Sequence, residues 1–370
     1  MQETSQVRSG EEIDNERLGA YLRATLDLQI DAVVIEQFPA GSSNLTYLVR
    51  VGDVEYVLRR PPFGNTVKTA HDMSREFNVL SKLSAVYAPA PKPLLFCEDT
   101  SVIGSEFYLM ERRNGLIIRG SASSPTVRER ADAAASTRVA TKHDLENSQE
   151  FRLKVCKSFI QNLANLHTLD YKSAGLGDLG KPEGYACRQV EGWTKRYFAA
   201  KTDEWTELEK AIVWLNENIP ADSGAALVHN DYKFDNIMLD PNDLTRITAV
   251  LDWEMVTVGD PLMDLGTTLG YWMAGDADDE MLNMPFNPRV LMENISRQEL
   301  AEMYAAASGG DISNILFYYV FGTFKIAAIC QQIYARYGKG FTKDERFANF
   351  DQIVGTLGKL AFRAIQTKQI

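Results

Sequence analysis

The feature that most constrains the fold is a change of sequence pattern near residue 114. Before it, short runs rich in Val, Ile, Tyr and Leu alternate with turns, whereas helix-length amphipathic segments predominate after it. At 370 residues the chain is longer than one compact core usually needs. We therefore predict an α+β, bilobal chain. Residues 1–113 would form a small β-rich N-terminal lobe with one main helix, and residues 114–370 a larger helical C-terminal lobe.

The order of elements in the first lobe is predicted to be strand, strand, strand, helix, strand, strand. The predicted strands cover residues 32–38, 44–51, 55–60, 94–97 and 106–111, and the helix covers residues 72–84. The predicted helices of the second lobe cover residues 151–169, 203–218, 261–273, 297–307, 312–337 and 343–367. Residues 119–150, rich in Ser, Ala and charge, are predicted to be a mobile insertion or a solvated helix.

Composition excludes several classes of function. With 39 basic and 50 acidic residues the formal net charge is −11, which argues against binding to nucleic acid or anionic membranes. Four Cys and four His, widely spaced, fit neither a disulfide scaffold nor a Cys/His metal centre. The N-terminus is polar, and the apolar stretch 315–330 is short and contains Lys325, so we predict no secretory signal and no membrane span. We expect a cytoplasmic protein without nucleic-acid or membrane partners, and its oligomeric state stays open.

A strand–loop–strand segment within the helical half carries the residues with the clearest chemistry. Asp231, Lys233 and Asn236 lie in a polar loop between two apolar runs, and Asp252 follows a third apolar run. Asp231 can orient an alcohol and accept its proton, and Lys233 can reach a transferring phosphoryl group as a point charge. Asn236 and Asp252 provide the hard oxygen ligands that Mg²⁺ prefers. The pattern predicts metal-assisted phosphoryl transfer.

Other polar residues near this segment have simpler explanations. His229 is predicted to hold the loop by hydrogen bonds, and Asp260 and Asp264 are predicted to cap a helix and bond to loop backbone. The acidic run at residues 276–280 is either a solvated loop or part of a pocket for a cationic acceptor.

The chain resembles the aminoglycoside/choline-kinase-type phosphotransferases, which have a bilobal protein-kinase-like fold. Their catalytic loop reads His-Gly-Asp-x-x-x-x-Asn and is followed by a strand that ends in Asp, as residues 229–236 and 251–254 do here. The resemblance is closest to the branch of kinase domains fused to acyl-CoA dehydrogenases and their free-standing bacterial relatives. The segments that carry it are residues 41–47, 57–62, 70–76 and 333–336.

The resemblance implies a nucleotide-binding site in the first lobe for ATP or another purine nucleoside triphosphate, used with Mg²⁺. Its predicted residues are Ser42, Ser43 and Asn44 in a phosphate-covering loop, Arg59 and Glu76 as a cation and its orienting carboxylate, and Met110, Glu111 and Arg112 beside adenine. Two positions depart from the common pattern. Arg59 stands where many such enzymes have Lys, and Asn230 stands where they have Gly; Asn tolerates left-handed backbone better than most residues.

These observations predict an ATP- and Mg²⁺-dependent kinase that phosphorylates a hydroxyl of a small molecule. The branch resemblance implies a hydroxy-acid or hydroxyacyl thioester as the acceptor. Two alternatives stay open: phosphorylation of an aminoglycoside or choline, and a nucleotide-binding pseudokinase with weak or no catalysis, which Arg59 and Asn230 would permit.

Overall fold

The computed structural model describes residues 4–26, 33–38, 44–62, 72–120, 148–273, 279–282, 284, 288–342 and 344–370. They belong to two compact units. Unit 1 comprises Met1–Asn114 and Thr248–Glu254, and unit 2 comprises Gly115–Ile247 and Met255–Ile370. Most of the predicted insertion and the acidic residues 276–278 lie outside the described residues.

Unit 1 is built on a five-stranded antiparallel sheet with the strand order β1-β2-β3-β5-β4. Its strands are β1 (Val33–Gln37), β2 (Leu45–Val51), β3 (Val54–Arg60), β4 (Pro93–Cys97) and β5 (Phe107–Glu111). Two helices accompany the sheet, α1 (Asn15–Leu26) and α2 (Met73–Leu83). Apolar side chains of α1 and of the strands form one buried cluster, which includes Leu18, Leu22, Tyr47 and Leu58.

Local sequence explains where these elements begin and turn. β2 and β3 form a hairpin that pairs Val51 with Val54 across Gly52-Asp53, and Gly52 adopts the positive φ of 58° that a tight turn needs. The Asp72 side chain caps α2 by accepting a hydrogen bond from the Arg75 backbone N–H. The turn sets the strand register, and the cap sets the start of the helix that carries Glu76.

The segment Thr248–Glu254 belongs to unit 1 although the chain on both sides of it belongs to unit 2. The Val250 backbone N–H donates to the Pro89 carbonyl at 2.9 Å, and the ring of Trp253 meets that of Tyr87 edge-on with centroids 6.0 Å apart. Trp253 is only 1% exposed. These contacts give the sheet unit two carboxylates, Asp252 and Glu254, that lie far from it in sequence.

Unit 2 is mainly helical. Its helices are α3 (Gln149–His167), α4 (Tyr185–Ala200), α5 (Thr206–Glu217), α6 (Pro261–Tyr271), α7 (Asp279–Leu282), α8 (Arg289–Met292), α9 (Arg297–Ser308), α10 (Ile315–Gly338) and α11 (Phe350–Thr367). The short strands β6 (Ala226–Val228) and β9 (Thr257–Gly259) pair with each other, and β7 (Ile237–Asp240) pairs with β8 (Asp243–Val250). The loop between β6 and β7 contains the predicted catalytic residues.

Helices α6 and α10 approach each other closely enough for their backbones to touch. A Cβ atom on Gly322 of α10 would lie 1.9 Å from the carbonyl oxygen of Gly266 on α6, and a Cβ on Gly266 would lie 2.0 Å from the Tyr318 carbonyl oxygen. Only glycine fits at such a crossing. The crossing places Lys325 of α10 beside the start of the β6–β7 loop.

The predicted mixture of an antiparallel N-terminal sheet and a helical remainder is confirmed. Four described helices were not predicted, the longer α1 and α4 and the short α7 and α8. The predicted helix at residues 343–367 begins only at Phe350, after a short 3₁₀ turn at Glu345–Phe347. Within the described parts of the chain, no helix is both long and apolar enough to cross a membrane.

Candidate active site

The loop after β6 brings the predicted catalytic residues of unit 2 together. Asp231 accepts hydrogen bonds from the Lys233 ammonium at 2.7 Å on Oδ2 and 3.0 Å on Oδ1. The Asn236 amide nitrogen donates to the same Oδ2 at 2.9 Å and to the Asp231 backbone carbonyl, also at 2.9 Å. The sequence spacing of these three residues therefore converges on one carboxylate.

A fourth contact to this carboxylate was not predicted from the sequence. The Tyr271 hydroxyl donates to Asp231 Oδ1 at 2.9 Å, and the Lys233 Nζ lies 4.8 Å from the centre of the Tyr271 ring. Tyr271 is the last residue of α6 and is 6% exposed. No local motif marks it, because it lies 40 residues from Asp231.

These contacts set the protonation states of Asp231 and Lys233. Burial by itself raises the pKa of Asp231, but the Lys233 ammonium, the nearby His229 and the Tyr271 hydrogen bond outweigh it and bring the pKa below the ordinary value. Burial likewise opposes the charge of Lys233, but the Asp231 carboxylate raises the pKa of Lys233 well above its ordinary value. Both groups are therefore ionised at neutral pH.

The backbone of the loop is held by buried polar side chains. Asp264 accepts hydrogen bonds from the backbone N–H groups of His229 at 2.6 Å and Asn230 at 2.8 Å. Asp260 caps α6 by accepting from the Leu262 backbone N–H, and the His229 Nδ1 accepts from the Asp231 backbone N–H at 3.2 Å. The predicted structural roles of these three residues are confirmed.

Asn230 takes the left-handed conformation that its position requires, with a φ of 67°. Its side-chain amide donates to the Met255 carbonyl at 3.0 Å, and its side-chain oxygen accepts from the Tyr185 hydroxyl at 3.2 Å. The departure from Gly is thus accommodated, since the Asn side chain has two hydrogen bonds that Gly would lack.

Lys325 is a further residue of this region that sequence reasoning assigned only to a buried helix. Its ammonium donates to the Asn230 carbonyl at 2.6 Å, and the residue is 2% exposed. Burial lowers the pKa of Lys325 to about 8, against the opposing effect of Asp264 and Asp231. A lysine within an otherwise apolar helix was the available signal.

Unit 1 contains a second cluster of charge, centred on Arg59. The Arg59 guanidinium lies 3.0 Å from Glu76 Oε1, 3.1 Å from Asp252 Oδ1 and 3.9 Å from Glu254 Oε2. The side chains of Arg59 and Glu76 are 9% and 2% exposed. The predicted partnership of Arg59 with Glu76 is present, and Glu254 joins it without having been predicted.

Burial and charge act against each other in this cluster. Burial opposes the charge of Arg59, but Glu76 and the other acidic groups raise the pKa of Arg59 above its ordinary value, whereas burial raises the pKa of Glu76. A second cation, Arg75, donates to the Glu254 backbone carbonyl at 3.2 Å. The buried Arg59 Nε has no hydrogen-bond partner within the described part of the chain, so this donor can serve an anionic oxygen.

The two predicted metal ligands, Asn236 and Asp252, each have an oxygen atom of the kind that Mg²⁺ prefers. Asp252 adopts a positive φ of 66°, and its side chain is about one-third exposed, at 34%. The Asn236 amide nitrogen donates to Asp231, which leaves the side-chain carbonyl oxygen for another partner. Among the described residues, no cluster of three or more His, Cys, Asp or Glu side chains could hold a metal by itself. The assignment of Mg²⁺ to Asn236 and Asp252 stays a prediction.

The other residues that are predicted to bind the nucleotide lie in several different local environments. Asn44 donates from its side-chain amide to Glu254 Oε2 at 2.8 Å, whereas Ser42 and Ser43 lie outside the described residues. Met110 is a buried residue of β5. The Glu111 backbone N–H donates to the Lys92 carbonyl at 2.9 Å, and Arg112 forms an ion pair with Glu55. The assignment of residues 110–112 to adenine stays a prediction.

Comparison with known proteins places this geometry in a family. A profile described as "Phosphotransferase enzyme family" matches residues 34–287. Acyl-CoA dehydrogenase family member 11 from Gallus gallus is 34% identical over 98% of this chain and 46% of its own length, and the Homo sapiens protein of that name is 34% identical over 96% and 43%. The chain thus spans less than half the length of these curated relatives.

Solved structures give the same result at the level of the fold. A Ralstonia eutropha protein provisionally named an aminoglycoside phosphotransferase is 27% identical, with a TM-score of 0.75 and coverage of 96% of this chain and 99% of that one. Choline kinase from Cryptosporidium parvum is 13% identical, with a TM-score of 0.56 and coverage of 94% and 100%. An aminoglycoside phosphotransferase bound to ADP and hygromycin B is 15% identical, with a TM-score of 0.56 and coverage of 93% and 97%. The predicted kinase-like fold and the family resemblance are confirmed: this chain belongs to the phosphotransferase enzyme family.

Proposed function

We propose that the chain is an ATP- and Mg²⁺-dependent phosphotransferase that moves the γ-phosphoryl group of a nucleotide to a hydroxyl of a small molecule. The observation that carries the proposal is the Asp231 carboxylate, which is ionised at neutral pH and held by Lys233, Asn236 and Tyr271. In-line phosphoryl transfer needs positioned charges more than covalent chemistry, and this loop provides them.

Each residue of the loop has a role in this reaction. Asp231 orients the acceptor hydroxyl and takes its proton, because an ionised carboxylate is an acceptor of hydrogen bonds only. Lys233 places a positive charge beside the carboxylate, where it can neutralise charge on the phosphoryl group as transfer proceeds.

The nucleotide is assigned to the residues of unit 1. Arg59, oriented by Glu76, would bind the α/β-phosphates, and its unpartnered Nε provides a donor for them. Ser42, Ser43 and Asn44 would cover the phosphates, and Met110, Glu111 and Arg112 would lie at the adenine. The ADP complex of a structural neighbour supports a nucleotide as the ligand.

Asn236 and Asp252 would hold Mg²⁺ through their oxygen atoms. When bound, the ion would neutralise the phosphate oxygens and fix their orientation. The presence of Asp252 beside the cation predicted to bind phosphate, Arg59, supports a divalent cation in unit 1.

A hydroxy-acid or hydroxyacyl thioester is the acceptor that we favour. The relatives that match the full chain are named as members of an acyl-CoA dehydrogenase family, which supports an acyl compound. Aminoglycoside and choline acceptors are suggested by the names of structural neighbours that share the fold at low identity. We place the protein in the cytoplasm, with small molecules rather than nucleic acids or membranes as its partners.

The test is ATP consumption by the purified protein with Mg²⁺ and a panel of hydroxy-acids, hydroxyacyl-CoA esters, choline and aminoglycosides. We expect turnover with an acid or acyl ester. In Asp231→Asn we expect turnover to fall by about 10²–10⁴-fold while ATP still raises the melting temperature. ATP binding without turnover of any acceptor would instead identify a pseudokinase, and full activity of Asp231→Asn would remove Asp231 from the mechanism.

A further inference from the structure

Three side chains on one face of helix α6 contact the loop between β6 and β7. Asp264, Thr268 and Tyr271 are spaced i, i+4 and i+7 and therefore share that face. Asp264 binds the backbone N–H groups of His229 and Asn230, as described above, and the Thr268 hydroxyl donates to the Tyr232 carbonyl at 2.9 Å. The third residue, Tyr271, contacts a side chain rather than the backbone, and that side chain is Asp231.

Tyr271 contacts both charged groups of the loop. Its hydroxyl donates to Asp231 Oδ1 at 2.9 Å, and its ring faces the Lys233 ammonium at 4.8 Å. A hydroxyl donor fixes the rotation of the carboxylate, and an aromatic face stabilises a cation placed over it. One side chain therefore constrains the proposed base and the proposed phosphoryl-binding cation together.

We propose that Tyr271 is a positioning residue of the phosphotransfer site, which holds one oxygen of Asp231 with its hydroxyl and supports the Lys233 ammonium with its ring. The inference rests on the proposed function, in which Asp231 is the base. The fixed spacing along α6 explains why the positioning residue is a tyrosine: Asp264 and Thr268 set the loop backbone, and a long side chain with a terminal donor then reaches the carboxylate.

The experiment compares Tyr271→Phe with Tyr318→Phe. Both substitutions remove a buried tyrosine hydroxyl that donates to a carboxylate, since the Tyr318 hydroxyl donates to Asp260 Oδ2 at 3.1 Å. For Tyr271→Phe with Mg·ATP and the acceptor that gives turnover, or water where hydrolysis is followed, we expect kcat to fall about tenfold. The KM for ATP should stay within about twofold, so that the loss appears in kcat. Tyr318→Phe should leave kcat within about twofold of the wild-type value.

A readout that needs no activity is the ¹³C carboxyl chemical shift of Asp231 at neutral pH, recorded on Asp-labelled protein, with the signal assigned from the spectrum of Asp231→Asn. Loss of the Tyr271 hydrogen bond should move this signal, whereas Tyr318→Phe should leave it in place. This comparison tests Tyr271 even if no acceptor is found, whereas the proposed function is tested by turnover of the wild-type protein. An Asp231 signal that stays in place in Tyr271→Phe, or one that moves equally in Tyr318→Phe, would overturn the inference.

A second variant covers the case in which Tyr271→Phe does not fold. Replacement of Tyr271 by 3-fluorotyrosine keeps the ring and the hydroxyl but makes the hydroxyl a stronger donor. The Asp231 carboxyl signal should then move from its wild-type position, and a signal that stays in place would contradict the proposed role.

Discussion

At the scale of single residues, the two charged clusters of this protein have opposite electrostatic surroundings. In unit 2 the Asp231 carboxylate is surrounded by donors and cations and stays ionised. In unit 1 the Arg59 guanidinium is faced by three carboxylates. The proposed function would use these two different surroundings, the first for a base and the second for a nucleotide with its metal ion.

Lysine is common at the position of Arg59 in related enzymes, but we expect that it cannot fully replace Arg59 here. Separate nitrogen atoms of Arg59, NH1 and NH2, meet Glu76 and Asp252, and a single ammonium cannot reproduce that two-point geometry. In Arg59→Lys we expect the KM for ATP to rise about tenfold with a smaller change in kcat, whereas Arg59→Met should lose most activity. Steady-state kinetics with varied ATP measures the difference, and a KM equal to that of the wild type would contradict the assignment of Arg59 to the nucleotide.

The burial of Lys325 predicts how the free energy of unfolding changes with pH. Its pKa is about 8 in the folded protein and about 10.4 in an unfolded chain, so the unfolded chain binds more protons between these values. Stability should therefore rise with pH across this window, by at most about 3 kcal/mol from this group. Urea unfolding of the wild type and of Lys325→Met at several pH values isolates the contribution: the difference in unfolding free energy, wild type minus variant, should increase from pH 7 to pH 10. A difference that stays flat or falls with pH would show that the pKa of Lys325 is not lowered in the folded protein.

At the scale of secondary-structure elements, α6 and α10 are the scaffold of the catalytic loop. α6 provides Asp264, Thr268 and Tyr271, and α10 provides Lys325. The helices can serve the same loop because Gly266 and Gly322 let their backbones meet. The sequence revealed both helices by their apolar pattern, but it did not reveal that two glycines set the distance between them.

The glycine contact predicts a large difference between two substitutions in the same helix. Gly322→Ala places a methyl group 1.9 Å from the Gly266 carbonyl oxygen and forces the helices apart, so we expect a loss of about 3 kcal/mol or more and reduced activity. Gly338→Ala, at the end of α10 with no atom within 4 Å of the new Cβ, should be neutral or slightly stabilising. Thermal and urea unfolding of the two variants measures this contrast, and similar stabilities would rule out the close contact.

At the scale of the whole molecule, the boundary of unit 1 does not follow the order of the chain. Thr248–Glu254 lies with the sheet unit and brings Asp252 and Glu254 to Arg59, although more than 180 residues separate them in sequence. The sheet unit is therefore incomplete when it is defined only by the first 114 residues.

This organisation predicts the behaviour of fragments. A fragment of residues 1–114 lacks the Trp253 ring beside Tyr87 and two of the three carboxylates that face Arg59, so it should melt at a lower temperature than the same fragment joined by a flexible linker to residues 248–254. Circular dichroism melting of both fragments tests this expectation, with a scrambled seven-residue segment as the control. Equal melting temperatures for all three would contradict a structural role of the segment in unit 1.

The limits of sequence reasoning follow from the kind of contact involved. The five strands and α2 were recognised because turns, Pro residues and alternating apolar residues mark their ends. α1 was missed because its first turn is polar, and only Leu18 and Leu22 mark a narrow buried stripe. α4 was missed because its buried residues are mostly aromatic and widely spaced, including Tyr185, Trp193 and Tyr197.

The sequence by itself determined that Asp231, Lys233 and Asn236 share one polar loop, since they are close in the chain and short-range geometry brings their polar atoms together. It also determined the family, through motifs that keep their order along the chain. Only the tertiary structure decided that Tyr271 and Lys325 serve that loop and that Glu254 joins Arg59. These contacts depend on how helices cross and on which segment completes a sheet unit, and such long-range packing leaves no periodic mark in the local sequence.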